Sequence, residues 1–298
     1  MSKAKLAIAL STLIVATVVW AVPVTGIAHQ RVQQVRAADI MAPVRLKDER
    51  ERGLLAQGWI NGAGPFVFVI DTGAGVSLIS RNVAAQTRLP VTKSRRTLVG
   101  GLSTSPIASN EETRIVGLAL GQRSNNAPGS FTAAVVADLP GSIDGILDPT
   151  DVFRPYGYSV DIPNRELRVF DMRLRVDDVP KDGAVVRWVG NDRPFVRLSD
   201  GRLALVDTGS TLGFALNEPG RVAGSNHITH DLGGGSVQSR RVAPQTVSIG
   251  ALVLNKVPTD VLTGVAPGTP IILGRGALFP FKITFDPASR LIAFEPTE

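Results

Sequence analysis

The chain has 298 residues, 44% of them hydrophobic and 19% charged, so it is globular and can bury large cores. Cysteine is absent, which excludes disulfides and thiolate chemistry but leaves the compartment open. The net charge is +6, yet the arginines are scattered, with only short pairs such as Arg95-Arg96 and Arg240-Arg241 and no basic run interleaved with aromatics, which argues against nucleic-acid binding.

Along the chain, Lys3 and Lys5 precede an apolar run from Leu6 to Val22 that continues with little polarity to Ala28. A positive flank before an apolar stretch is an export signal, and Gly26-Ile27-Ala28 offers small residues for cleavage. The run is also nearly long enough to span a membrane, so residues 1–28 read as a cleaved signal or a retained anchor. From His29 to Arg52 the chain is polar and charge-rich and reads as a linker or short helix, with the linker placed at residues 29–44. A mostly β composition follows, with 30 glycines and 20 prolines but only 5% aromatics, as many short strands and turns require.

In the first half, Leu54–Ile60 is a strand candidate, and Asn61-Gly62 is a strong hairpin turn signal. Phe66–Ile70 is a short apolar run ending in Asp71-Thr72-Gly73-Ala74. Val76–Ser80 leads away from it. Leu98–Ser103 holds the pair Gly100-Gly101 between apolar residues, as a mobile hairpin tip would. Arg114–Leu120 and Phe131–Ala137 are further strands. Tyr158–Asp161 and Arg165–Phe170 form a closing hairpin. Asp144, Asp148 and Asp151 match no calcium-loop spacing.

The same order returns in the second half. Val185–Val189 and Phe195–Leu198 are strands, Asp200-Gly201 is a turn, and Leu203–Val206 runs into Asp207-Thr208-Gly209-Ser210. Gly233-Gly234-Gly235 follows about as far downstream as the Gly100-Gly101 pair follows Asp71. His227 and His230 flank this region. With no helix indicated and no third ligand in view, they read as exposed loop residues and not as a metal site. Val247–Ile249, Leu252–Leu254, Ile283–Asp286 and Leu291–Phe294 complete the strands. Trp59 and Trp188 read as core or sheet-face residues.

Each apolar run before its Asp has the composition of a strand buried on both faces, with Gly permitting a tight turn just after. If the two halves pair about a pseudo-twofold axis, Asp71 and Asp207 come face to face. Two carboxyls that close cannot both ionise at neutral pH and hold one proton between them. The ionised member can take a proton from water while the protonated member donates to a carbonyl oxygen. That chemistry hydrolyses a peptide bond without a metal, a cofactor or a covalent intermediate.

The Asp71-Thr72-Gly73-Ala74 and Asp207-Thr208-Gly209-Ser210 repeats resemble those of the aspartic proteases, the pepsin-like enzymes and the smaller, dimeric retropepsins. The resemblance covers most of residues 50–298. It implies a mostly β fold of two similar retropepsin-like β-barrel lobes, residues 45–172 and 183–298, related by a pseudo-twofold axis and preceded by an apolar N-terminal helix. It makes Asp71 and Asp207 catalytic and has Thr72 and Thr208 brace the two loops. It makes Gly100, Gly101, Gly233, Gly234 and Gly235 flap residues that close over a polypeptide substrate. Ile271–Arg275 matches the family's apolar-apolar-Gly segment, which packs under the catalytic loop. Ile143–Asp148 matches it with Asp148 in place of the Gly. That substitution either weakens the support of the loop or re-routes the turn before Pro149. The flap lacks the Tyr of pepsins.

The motifs differ at their fourth position. Ser210 is expected to donate a hydrogen bond to Asp207, which Ala74 cannot do for Asp71. Asp207 is then the charged partner, Asp71 the protonated one, and activity extends toward mildly acidic or near-neutral pH. The leading expectation is a monomeric aspartic endopeptidase that is exported to the bacterial periplasm or tethered facing it through residues 6–28. A catalytically silent peptide-binding module of the same fold is the alternative. A tethered envelope-structural protein gives no reason for the paired motifs.

Overall fold

The computed structural model describes residues 38–103, 107–217, 224–230, 232, 235–266 and 268–297. Residues 1–28, where a signal or anchor is expected, and the following stretch to residue 37 lie outside the described residues. Among the described residues no helix is long and apolar enough to cross a membrane.

The first half runs β1 (Val44–Arg45), β2 (Lys47–Glu49), β3 (Gly53–Ile60), β4 (Ala63–Ile70), β5 (Ser77–Ser80), α1 (Arg81–Gln86), β6 (Thr92–Gly100), β7 (Ile107–Ile115), β8 (Leu118–Leu120), β9 (Phe131–Val136), β10 (Gly145–Leu147), α2 (Pro149–Phe153), β11 (Gly157–Asp161) and β12 (Glu166–Phe170). The second runs β13 (Ala184–Arg187), β14 (Phe195–Arg197), β15 (Leu203–Asp207), β16 (Phe214–Leu216), β17 (Ser225–His230), β18 (Ser236–Ile249), β19 (Leu252–Thr263), β20 (Ile271–Gly274), α3 (Arg275–Leu278), β21 (Phe281–Asp286) and β22 (Leu291–Pro296). The architecture is mostly β.

Among the described residues the strands form three sheets. The first is β2-β3-β4-β10-β5-β9-β7-β6, with β8 attached to β3, and the second is β14-β15-β20-β16-β19-β18-β17. One wiring appears in both. The strand ending in Asp-Thr-Gly (β4, β15) pairs in parallel with a later short strand (β10, β20). That strand is antiparallel to the one leaving the motif (β5, β16), which is parallel to a further strand (β9, β19). A long hairpin hangs from each set, β6–β7 on β9 and β17–β18 on β19.

The third sheet, β1-β12-β11-β21-β22-β13, draws strands from both halves. The closing hairpins meet where β11 pairs antiparallel with β21, Tyr158 opposite Phe285, and their rings stack at 4.9 Å. The main core cluster likewise contains residues of both halves, such as Phe68, Tyr158, Phe214 and Phe285. The halves are therefore joined by a common sheet and core, which the sequence pattern does not reveal.

Local chemistry accounts for the elements that aim the motifs. Phe68, Val69 and Ile70 are fully buried, as a central strand with neighbours on both faces requires. Asn61 and Gly62 both take positive φ, 51° and 77°, the geometry of a tight hairpin turn with primed twist. The Phe68 ring lies against Gly58 and Gly145, where an added Cβ would come within 2.7 Å of it.

Four sequence expectations need correction. Residues 38–44 are not a free linker: Ile40 N–H donates to Val169 O at 2.9 Å, β1 pairs with β12, and Met41 and Val44 are buried. Arg114–Leu120 is two strands, because β7 pairs with β9 while β8 pairs with β3. His227 and His230 lie in β17 and not in a loop. The strands around Gly250 extend to 14 and 12 residues, since they form the stem of the second hairpin.

Candidate active site

β4 and β15 carry Asp71 and Asp207 to the floor of one cleft, close enough for each carboxyl to bear on the other's ionisation. The loops that hold them are cross-braced. Thr72 Oγ1 donates to Val206 O at 2.8 Å and accepts from Thr208 N at 3.1 Å. Thr208 Oγ1 donates to Ile70 O at 3.0 Å and accepts from Thr72 N at 3.1 Å. Both threonines are fully buried, and each hydroxyl satisfies two backbone groups of the opposite loop. The glycines have a steric role. A Cβ on Gly73 would lie 2.5 Å from Asp207 Cγ, and one on Gly209 would lie 2.4 Å from Asp71 Cγ. Each loop thus presses its backbone against the other loop's carboxyl.

The surroundings of the two carboxyls differ. Asp71 Oδ1 accepts one backbone hydrogen bond, from Gly73 N at 2.8 Å. Asp207 Oδ1 accepts from Ser210 N at 2.8 Å, and the Gly209 amide and the Arg193 guanidinium also favour its charged form. Burial, and then the neighbouring Asp207 charge, push the Asp71 carboxyl well above the ordinary carboxylate range. Burial raises Asp207 too, but its amides, the hydrogen bond from Asp71 and Arg193 oppose that rise. The two carboxyls titrate as a pair, and the surroundings favour the charge on Asp207 more than on Asp71.

The sequence reading named the right partner for Asp207 but the wrong atom. The Ser210 backbone N–H makes the bond, while the Ser210 hydroxyl turns away to accept from Leu212 N at 3.3 Å. Ala74 contributes nothing to the Asp71 carboxyl, and its N–H points to the Asp71 backbone oxygen at 3.4 Å.

The Asp148 question also resolves. Asp71 N donates to Leu147 O at 3.0 Å, so β10 supports the first loop as β20 supports the second. The residue after Leu147 and the residue after Leu273 each form the N-cap of a short helix. At Gly274 a Cβ would strike Leu212 O at 2.4 Å, so only glycine fits. Asp148 instead uses its carboxyl to accept from Thr150 N at 2.9 Å, and its own N–H bonds to Ser77 Oγ at 3.1 Å. Burial pushes this carboxyl up to about 7.

A cleft of about 400 Å³ opens above the dyad. Asp71, Gly73, Asp207 and Gly209 line it, with Gly101, Leu102 and Ile107 from the first hairpin and Thr229, His230 and Leu232 from the second. The first hairpin's tip rests on the opposite half, where Ala266 N donates to Leu102 O at 3.0 Å and Ser103 bridges Val265. Gly100 ends β6, Gly101 takes φ 108° in the turn, and Gly235 precedes β18. Gly233 and Gly234, also read as flap residues, lie outside the described residues. Sequence reasoning missed Glu51 and Arg193, which line the cleft from loops with no motif to mark them. Among the described residues no group of three or more His, Cys, Asp or Glu could hold a metal ion.

Residues 56–147 match a family model described as aspartyl protease. The match spans Asp71 and the first hairpin, stops short of Asp207, and supports an aspartic protease family for this chain. No curated protein matches the chain.

Proposed function

We propose that the chain is an aspartic endopeptidase in which Asp71 and Asp207 share one proton and activate water against a peptide bond. The observation that carries this reading is the placement of both carboxyls side by side at the floor of one cleft, each pressed by the glycine of the opposite loop. Asp207, the charged member, takes a proton from the water as it attacks the carbonyl carbon. Asp71 donates its proton to the carbonyl oxygen, giving a tetrahedral diol intermediate. Collapse of that intermediate breaks the C–N bond as Asp207 passes its proton to the leaving nitrogen and Asp71 recovers the hydroxyl proton. The peptide lies extended beneath the two hairpins, whose backbone can pair with it as an added strand does.

The repeated strand wiring supports reading residues 45–172 and 183–298 as two related lobes, like a retropepsin dimer joined in one chain. The proposal includes a monomer, and export or membrane tethering through residues 6–28, on the strength of that apolar run alone.

The test is cleavage of unstructured polypeptides by the full chain across pH, with Asp71→Asn and Asp207→Asn beside it. Each substitution removes the shared-proton pair and should lower kcat/KM by about 10²–10⁴. Cleavage at the wild-type rate by either variant refutes the mechanism. A wild-type chain that binds peptides but never cuts them is a peptide-binding module.

A further inference from the structure

We propose that the cleft is charge-polarised: Arg193 receives an acidic substrate side chain on one side of the scissile bond, and Glu51 receives a basic one on the other. This deepens the peptidase reading and rests on it.

Arg193 and Glu51 occupy corresponding places. Glu51 stands two residues before β3, which pairs with β4, and Arg193 stands two residues before β14, which pairs with β15. Both line the cleft over the dyad. Arg193 lies by the first catalytic loop, where a Cβ on Gly75 would meet its Cγ at 2.9 Å. On the other side Gly53, two residues after Glu51, faces the second loop, where an added Cβ would lie 3.9 Å from Gly209 O. Equivalent positions on opposite sides of the dyad thus carry opposite charges.

Neither side chain is held in an ion pair among the described residues. Arg52, Arg168, Arg202, Arg241 and Arg275 each meet a carboxylate. Arg193 makes no ion pair among the described residues. Its guanidinium lies 5.6 Å from the centre of the Phe195 ring and acts on the Asp207 charge through space, while its backbone oxygen accepts from Trp188 Nε1 at 2.8 Å and Phe195 N at 3.1 Å. Arg52, adjacent to Glu51, is turned to Glu49 and Ser142 O, which leaves Glu51 as the charge at that end. An extended peptide crossing the dyad therefore meets a cation at one end and an anion at the other. A planar guanidinium suits a carboxylate, and a second negative charge beside Glu51 and the charged dyad is repelled.

The experiment uses one peptide core with charges placed on either side of the scissile bond: acidic–basic, basic–acidic, and both neutral. The full-length wild type should cleave one of the two charged arrangements about fivefold faster in kcat/KM than its reverse, a difference that shrinks as salt is raised. The double variant Glu51→Arg/Arg193→Glu should invert that order. The ratio at one pH is the readout, because it cancels any change that Arg193 makes to Asp207 itself. A wild type that cuts all three peptides alike, or an order that survives the double exchange, overturns the inference and leaves the peptidase reading standing. If nothing is cut, binding of the same labelled peptides to the wild type decides: tighter binding of one charged arrangement than of its reverse upholds the polarised cleft while the peptidase reading falls, and equal binding removes both.

Discussion

Replacing Asp148 by Asn separates a buried proton from the chemistry above it. Asp148 is 1% exposed and its carboxyl is pushed from an ordinary 3.8 to about 7, with burial as the main cause. The folded state therefore holds the proton over a range in which the unfolded chain has lost it. Between about pH 4 and 7 the native state binds more protons than the unfolded state, so stability falls as pH rises. The contribution is fully present below 3.8 and gone above about 7, and the gap is worth about 4 kcal/mol. Asn is neutral throughout and keeps an oxygen for the Thr150 N–H, so the helix cap survives. Paired urea titrations should give wild type and Asp148→Asn similar stability at low pH. Above neutral pH the Asn variant should be the more stable by up to that amount. The Asp148 charge also raises the Asp71 carboxyl, so the alkaline limb of activity should move slightly down in the variant. Stability curves that run parallel from acid to alkaline pH would refute the buried-proton account.

Thr208→Val removes a donor to Ile70 O and the acceptor of Thr72 N, leaving buried backbone groups unpaired. It should cost roughly 2–5 kcal/mol by denaturant unfolding and lower kcat, while Thr208→Ser retains most of both. Gly209→Ala places a methyl 2.4 Å from Asp71 Cγ and should lower kcat/KM by about 10² or more, with the change carried by kcat. Wild-type kcat/KM should follow a bell whose alkaline limb lies above the ordinary carboxylate range, because the proton leaves Asp71 late. Ser210→Ala should leave both limbs where they are, since the backbone N–H makes the bond to Asp207. A profile confined to strongly acid pH, or a limb displaced in Ser210→Ala, would contradict the assignment.

The parts of the site that are local in sequence were legible. Asp71 and Asp207 end apolar runs, Asn61-Gly62 dictates its own turn, and the Thr and Gly positions follow from the motif. Features set by partners distant in sequence were not. The pairing of β11 with β21, and the docking of residues 38–44 on β12, depend on edges that no local pattern identifies. Ser210 was assigned its hydroxyl because residue type suggests side-chain chemistry, whereas the turn presents the amide. Asp148 looked like a defect because its position resembles that of Gly274. Only the neighbours show that Leu212 O excludes a side chain at one site and that a helix N-terminus welcomes a carboxylate at the other. Glu51 and Arg193 carry no motif, and their meaning comes from facing one cleft.

The central claim is that Asp71 and Asp207 hold a single proton, resident on Asp71. Infrared difference spectroscopy in mildly acidic buffer, with Asp148→Asn as the background, reads it without a substrate. The account predicts one protonated-carboxyl C=O band that disappears when Asp71 is also changed to Asn. No such loss, or a band already absent before Asp71 is changed, would contradict it.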